Sequence, residues 1–310
     1  MKKIGLAFLL AASAAFSMQC AAVEEETQEL EASSAALDNV GATLGNGVRT
    51  TIASVTGAEN LLFTSTERLL ITSDHGVFEL RKNAGGSFDR TTILEDQTAL
   101  LCTFTGIVES RATLYTTCRG TTQSFLFASP VASTLSFRVI YTLSGYGFAN
   151  GLATDETGRL FVATSFQNKI LRLSPSDADP LSITRLEVYQ TNAGTFVNGL
   201  AYHGGSIYWS DTSFIKRNAS DGVFATFKLV VAELGYFDDL RVDDAGILAA
   251  DSTSNVLRAY TLSGSKTGQT RQLFDGPSSV ARALGRAGFS QNAIVVTERR
   301  GNRVSVFEPR

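Results

Sequence analysis

An all-β chain, a six-bladed β-propeller closed by an N-terminal strand, is what this sequence predicts, on three observations. One unit is written nearly twice: "FANGLATDETGRLFVATS" from Phe148 to Ser165 and "FVNGLAYHGGSIYWSDT" from Phe196 to Thr212 each run aromatic, small residue, Asn-Gly-Leu, turn, β-rich segment. Looser versions bring the unit starts to Glu59, Thr103, Asn150, Asn198, Asp238 and Ser279, with steps of 44, 47, 48, 40 and 41 residues. Within each unit, short β-branched or aromatic runs alternate with Gly, Asp or Ser turns, and no stretch keeps a helical period. Repeats of roughly 40 to 50 residues built from small antiparallel sheets are the signature of propeller blades.

The elements follow in chain order. Residues 1–22, "MKKIGLAFLLAASAAFSMQCAA", carry Lys2 and Lys3, an apolar run too short for a stable span and then small residues, which is the build of an export signal. Two processing routes stand open: lipid attachment at Cys20, which makes a membrane-anchored lipoprotein, or ordinary cleavage near Ala22. The expected location is periplasmic or extracellular. Residues 23–47 are acidic, rich in Ala and Ser and nearly free of aromatics, and read as a flexible tether. Residues 48–310 form the propeller. Its last unit ends one strand short, while "VRTTIASV" at Val48 to Val55 is a strand without a blade, so the N-terminal strand is expected to complete blade six and remove two exposed sheet edges.

Composition narrows the function. The 310-residue chain is 44% hydrophobic and 18% charged with a net charge of −3, which argues against a disordered chain and against a nucleic-acid binder. Cys102 and Cys118 lie on either side of the blade-two turn "VESR", so they are expected to face one another, as a disulfide in an oxidising compartment or as two buried thiols. With no second pair nearby, a zinc site is not indicated.

The start of each inner strand should converge at one end of the central channel. There, Glu59, Asn150, Asn198 and Asp238 would bring together carboxylate and amide oxygens, the donors a hard cation such as Ca2+ takes in irregular geometry. Asn-Gly is also ordinary turn chemistry, and shared register is what separates the two readings.

The segments "GAENL", "ANGLATDETGRLFVATS", "VNGLAYHGGSIYWSDT" and "FDDLRVDDAGILAADS" resemble the regucalcin and gluconolactonase (senescence marker protein-like) family of calcium-dependent six-bladed propellers, with paraoxonase-like features. The resemblance runs from about Val48 to the end, strongest in blades one, three, four and five. It implies that Glu59, Asn198 and Asp238 hold a catalytic calcium and that Asn150 contacts metal or substrate. The implied reaction is calcium-assisted hydrolysis of a lactone or ester. Two departures point away from sugars. Phe148 stands where sugar-lactonase members carry an arginine. Asp239 replaces the usual glycine, at a place where paraoxonases hold a further oxygen ligand, so it is a candidate fifth ligand.

Asp238 is the candidate general base or nucleophile. His75, in "TSDHGV" on the ligand side, is either a second base or a plain loop residue, and His203 belongs to a turn at the opposite end. The loops "GYGFAN", "GTFVN" and "LGYFDD" bring Tyr146, Phe148, Phe196, Tyr236 and Phe237 to the ligand positions, where they either line an apolar substrate pocket or wedge between blades. Trp209 reads as core. "RRGNR" at Arg299 to Arg303 is a basic loop on the ligand side. No GxSxG elbow with a Ser-His-Asp set and no phosphate-cradling loop is present. The leading function is an exported calcium-dependent hydrolase of an apolar lactone or ester small molecule; the alternative is a non-catalytic propeller that keeps calcium as a structural pin and serves as a binding or scaffold module.

Overall fold

The computed structural model describes residues 44–95, 100 and 102–310. The export-signal, Cys20 and most of the tether expectations therefore lie outside the described residues. Six four-stranded antiparallel sheets are found among these residues. Blade one is β2 to β5 (Ala58–Phe63, Leu69–Ser73, Gly76–Lys82, Phe88–Glu95), and blade two is β6 to β9 (Thr103–Ser110, Thr113–Arg119, Ser124–Pro130, Arg138–Leu143). Blade three is β10 to β13 (Ala149–Thr154, Leu160–Thr164, Lys169–Pro175, Ile183–Thr191), and blade four is β14 to β17 (Val197–His203, Ser206–Asp211, Phe214–Ala219, Lys228–Ala232). Blade five is β18 to β21 (Phe237–Asp243, Gly246–Asp251, Val256–Tyr260, Lys266–Gln269). Blade six is β22 to β24 (Pro277–Arg282, Ile294–Glu298, Arg303–Pro309), with β1 (Gly47–Ser54) paired antiparallel to β24 from Gly47↔Pro309 to Ser54↔Arg303. The ring is thus closed by the N-terminal strand. Among the described residues no helix is long and apolar enough to cross a membrane.

Burial explains why these sequences make blades. Inner and second strands are buried on both faces, as in "LLITS" of β3, whereas fourth strands such as β5 are largely exposed. Because strand side chains alternate, Leu69 and Ile71 pack towards blade six while Leu70 packs towards blade two. The core is accordingly divided into six apolar clusters, each shared by two adjacent blades, rather than one central mass. The folded unit begins earlier than Val48: Leu44 is buried between blades five and six beside Phe274 and Phe307.

The two cysteines are bonded, with Cα atoms 5.4 Å apart and a sequence separation of 16. They are not directly opposite. The hairpin turns at Arg111 and Ala112, and β7 pairs Cys118 with Phe104, so the bond runs diagonally to Cys102 just before β6. Closing a loop of this length restricts the unfolded chain by about 3 kcal/mol. Reduction, or Cys102→Ser, is expected to lower the thermal midpoint by an amount of that order in a scanning-calorimetry comparison; an unchanged midpoint would show that the bond adds nothing.

The feature that positions the site is a bulge at the same place in all six inner strands. The register slips by one residue between Ala58 and Leu61, Phe104 and Ile107, Ala149 and Leu152, Val197 and Leu200, Phe237 and Asp239, and Pro277 and Ser279. A bulge leaves a residue outside the ladder and its backbone groups without ladder partners. In four blades a hydroxyl on the preceding blade's second strand satisfies the carbonyl. Thr72 donates to the carbonyl of Thr105 (2.5 Å), Thr117 to that of Asn150 (3.1 Å), Ser210 to that of Asp238 (3.3 Å) and Thr297 to that of Glu59 (2.8 Å).

Candidate functional site

The bulges place Glu59, Thr105, Asn150, Asn198, Asp238 and Ser278 in equivalent positions. This corrects the sequence register in two blades. Thr105, not Thr103, is the blade-two residue, and Ser278, not Ser279, is the blade-six residue. The Thr105 hydroxyl bonds to Thr117 (2.9 Å) and donates to the carbonyl of Ala149 (3.1 Å), and Ser278 donates to the carbonyl of Ala58 (2.8 Å). Both belong to the wall of the channel rather than to a ligand set.

Glu59, Asn198 and Asp238 meet at the mouth. Asn198 Nδ2 donates to Asp238 Oδ1. Burial, and after it the charges of Glu59 and Asp239, push the Asp238 carboxyl well above its ordinary range, against the pull of Arg299 and the Asn198 hydrogen bond. Burial and the Asp238 charge push the Tyr236 hydroxyl up to about 12, although a hydrogen bond with Asn198 acts the other way. Asn150 is buried at the same level in blade three.

Arg299 is the mouth residue whose role was not legible in the sequence. Its guanidinium donates to Glu59 Oε2 and, at 2.6 Å, to Asp74 Oδ1. Burial opposes its charge, and the two carboxylates more than offset that. "RRGNR" was visible as a basic loop, but blade six meets blade one only after the ring closes, 240 residues apart in sequence. His75 is exposed in the turn after β3, next to Asp74; its backbone N–H donates to Ser73 Oγ at 2.9 Å.

Asp239, the candidate fifth ligand, is buried beside Asp238. Its Oδ2 accepts from Ser279 Oγ at 2.5 Å and stands 3.7 Å from Arg241. Its Oδ1 is buried without a hydrogen-bond partner, against Gly199, where an added Cβ would approach to 2.4 Å. Arg241, Ser279 and Asn60 thus act on this carboxylate.

The aromatic loops divide. Phe148 and Phe196 each meet Phe166 edge-on, with ring centroids 5.0 and 4.9 Å apart, and Phe166 is 57% exposed. Phe166 adopts φ +66 and was missed in the sequence, where "SFQNK" reads as a polar turn. Tyr146 packs into the core between blades two and three, under Lys169, and Phe237 is fully buried against Tyr260. These two serve packing. Trp209 is buried, its indole N–H donating to the Ala193 carbonyl at 3.0 Å. His203 stands at the far end, 3.6 Å from Asp244.

Among the described residues no three His, Cys, Asp or Glu side chains cluster as a metal site. What converges is two carboxylates and one amide. These are hard oxygen donors, and a carboxylate buried beside another negative charge asks for a counter-cation, so the set suits a calcium ion in chemistry. Arg299 supplies that counter-charge in this structure.

No protein-family model and no curated protein matches the sequence. Solved structures do. A gluconolactonase from Xanthomonas campestris is 16% identical, with a TM-score of 0.63 over 88% of this chain and 93% of its own. A putative gluconolactonase is 15% identical, with a TM-score of 0.62 over 86% and 94%. A putative oxidoreductase (glucose dehydrogenase) from Thermus thermophilus is 15% identical, with a TM-score of 0.63 over 84% and 100%. At these identities the likeness carries the fold, and the chain is a six-bladed β-propeller similar in architecture to the gluconolactonases.

Proposed function

We propose that the protein is an exported, calcium-dependent hydrolase of apolar lactones or esters. The observation that supports it most is the convergence of Glu59, Asn198 and Asp238 at a channel mouth beside the Phe148–Phe166–Phe196 triplet. Glu59, Asn198 and Asp238 would hold the ion, which when bound supplies Lewis-acid polarisation of a substrate carbonyl. Asn150 sits at the matching position of blade three and is assigned to substrate. Asp238 is assigned as the acceptor of a proton from the attacking water. The phenylalanines select an apolar acyl or ring portion and keep bulk water from it.

A second reading is favoured by one observation: Arg299 already neutralises Glu59. On that reading the mouth binds no cation and the propeller is a binding module. Thermal unfolding after chelation, with calcium added back and magnesium as control, separates the two. Calcium at about a hundred times its dissociation constant is expected to stabilise the fold by about 2.7 kcal/mol. No rise across the millimolar range would sink the calcium reading and leave the second. Hydrolysis of an apolar lactone and an aryl ester is then assayed in the presence of calcium.

A further inference from the structure

At the end of the channel away from the mouth, the C-terminal ends of three inner strands, β2, β18 and β22, border an open cavity of about 260 Å3. Three arginines line it: Arg241 from β18, Arg282 from the end of β22 and Arg286 from the turn that follows. Asp243 is the one carboxylate in the lining, and Arg282 Nη1 donates to it at 2.7 Å. Asp239, behind the wall near Arg241, offsets one more guanidinium. One positive charge is left over.

That charge belongs to Arg286. Its Nε and Nη2 donate to the carbonyls of Ala283 (3.0 Å) and Arg282 (3.1 Å), and its guanidinium lies 4.9 Å from the Phe63 ring centre. Burial alone lowers its affinity for its proton, with no carboxylate near enough to oppose it. Its turn is strained: Leu284 and Ala287 take φ +54 and +53, conformations that cost free energy in residues with a side chain. Arg282 Nη2 is buried and has no hydrogen-bond partner. Three guanidinium groups lining one groove with a single carboxylate between them favour an anion there. The rest of the lining includes Leu62, Phe63 and Leu284.

We propose that this cavity is a binding site for a small organic carboxylate, its monoanionic head between Arg282 and Arg286 and a short apolar tail against Phe63 and Leu62. The charge excess matches a monoanion, and the apolar wall separates such a ligand from free phosphate. The site is independent of the hydrolase reading, because none of its lining residues stands at the mouth.

Isothermal titration of the full chain with hexanoate tests it, with hexanol and inorganic phosphate as controls. Saturable binding of hexanoate at one site is expected, with neither control competing. Arg286→Met keeps the stem on Phe63 and Arg282→Gln keeps a donor; each is expected to weaken hexanoate by about tenfold or more, with the thermal midpoint recorded to show that the variants fold. Arg286→Lys, which keeps the charge, should retain part of the affinity. Absence of saturable heat with hexanoate, or affinity unchanged in both folded variants, overturns the proposal. Phosphate binding as tightly as hexanoate overturns the assignment to an organic carboxylate.

Discussion

Asp251→Ala is expected to destabilise the propeller by about 3–5 kcal/mol, the cost of removing one partner from a buried ion pair. Asp251, at the top of β19, is fully buried. Its Oδ1 accepts from the N–H of Tyr236 (3.1 Å), the N–H of Ser254 (3.0 Å) and the Thr253 hydroxyl (3.1 Å), and its Oδ2 pairs with Arg258 at 2.6 Å. Gly235, at φ +156, is there because an added Cβ would stand 2.4 Å from Asp251 Oδ2. One carboxylate thus ties the loop that carries Tyr236 and Asp238 to its own blade. For a domain of this size the midpoint should fall by roughly 10 °C. Burial alone would raise the Asp251 pKa, but the Ser254 and Tyr236 hydrogen bonds and Arg258 bring it below the ordinary value. A depressed carboxyl contributes stability that is present above its unfolded-state pKa and is lost as the pH falls through its folded-state pKa. The wild-type midpoint should therefore decline in acid below the ordinary aspartate range, and the variant should lose most of that dependence. A variant that melts like the wild type would show that Arg258 and the loop are held by other contacts.

The second large effect concerns Asp238. Asp238→Asn is expected to reduce turnover of an apolar lactone or ester by at least about a hundredfold, the usual scale for losing a proton acceptor or a charge-stabilising group. The calcium-induced rise in midpoint should disappear with it. Without calcium the sign reverses: removing a carboxylate that burial, Glu59 and Asp239 all disfavour should leave the variant as stable as the wild type or more so. Calorimetry and a hydrolysis assay on the same preparation read both outcomes. Full activity in a folded Asp238→Asn protein would remove Asp238 from the mechanism, and a loss of stability in the absence of calcium would show that its hydrogen bond to Asn198 outweighs the repulsion.

The blades were legible because their information is local. Asn-Gly-Leu, the following turn and a β-rich run repeat within some fifteen residues, and Val48–Val55 stood out as a strand lacking a sheet. The same repeat register is what placed Glu59, Asn198 and Asp238 at one end of the channel, where they meet. What failed is non-local or of single-residue scale. Thr105 and Ser278 were misplaced because a hydroxyl in a wall looks like any strand residue, and the slip of one residue at the bulge does not disturb the apolar pattern enough to mark it. No local pattern marks Asp211 or Asp251, yet each ties down a loop at the mouth: Asp211 accepts from the Phe196 N–H (3.1 Å) and pairs with Lys216 (2.6 Å). Arg299 reaches Glu59 only across the closure of the ring.

The sixfold bulge has a consequence for how such a protein can be retooled. Each bulged residue stands outside the ladder and outside the six apolar clusters, and at Glu59, Thr105, Asn150 and Asp238 the backbone carbonyl is held by a neighbour's hydroxyl whatever the side chain is. The chemistry written at those positions is thereby uncoupled from the packing that keeps the blades together. A library randomised at Glu59, Asn150, Asn198 and Asp238 alone should consist mostly of folded proteins with new specificities.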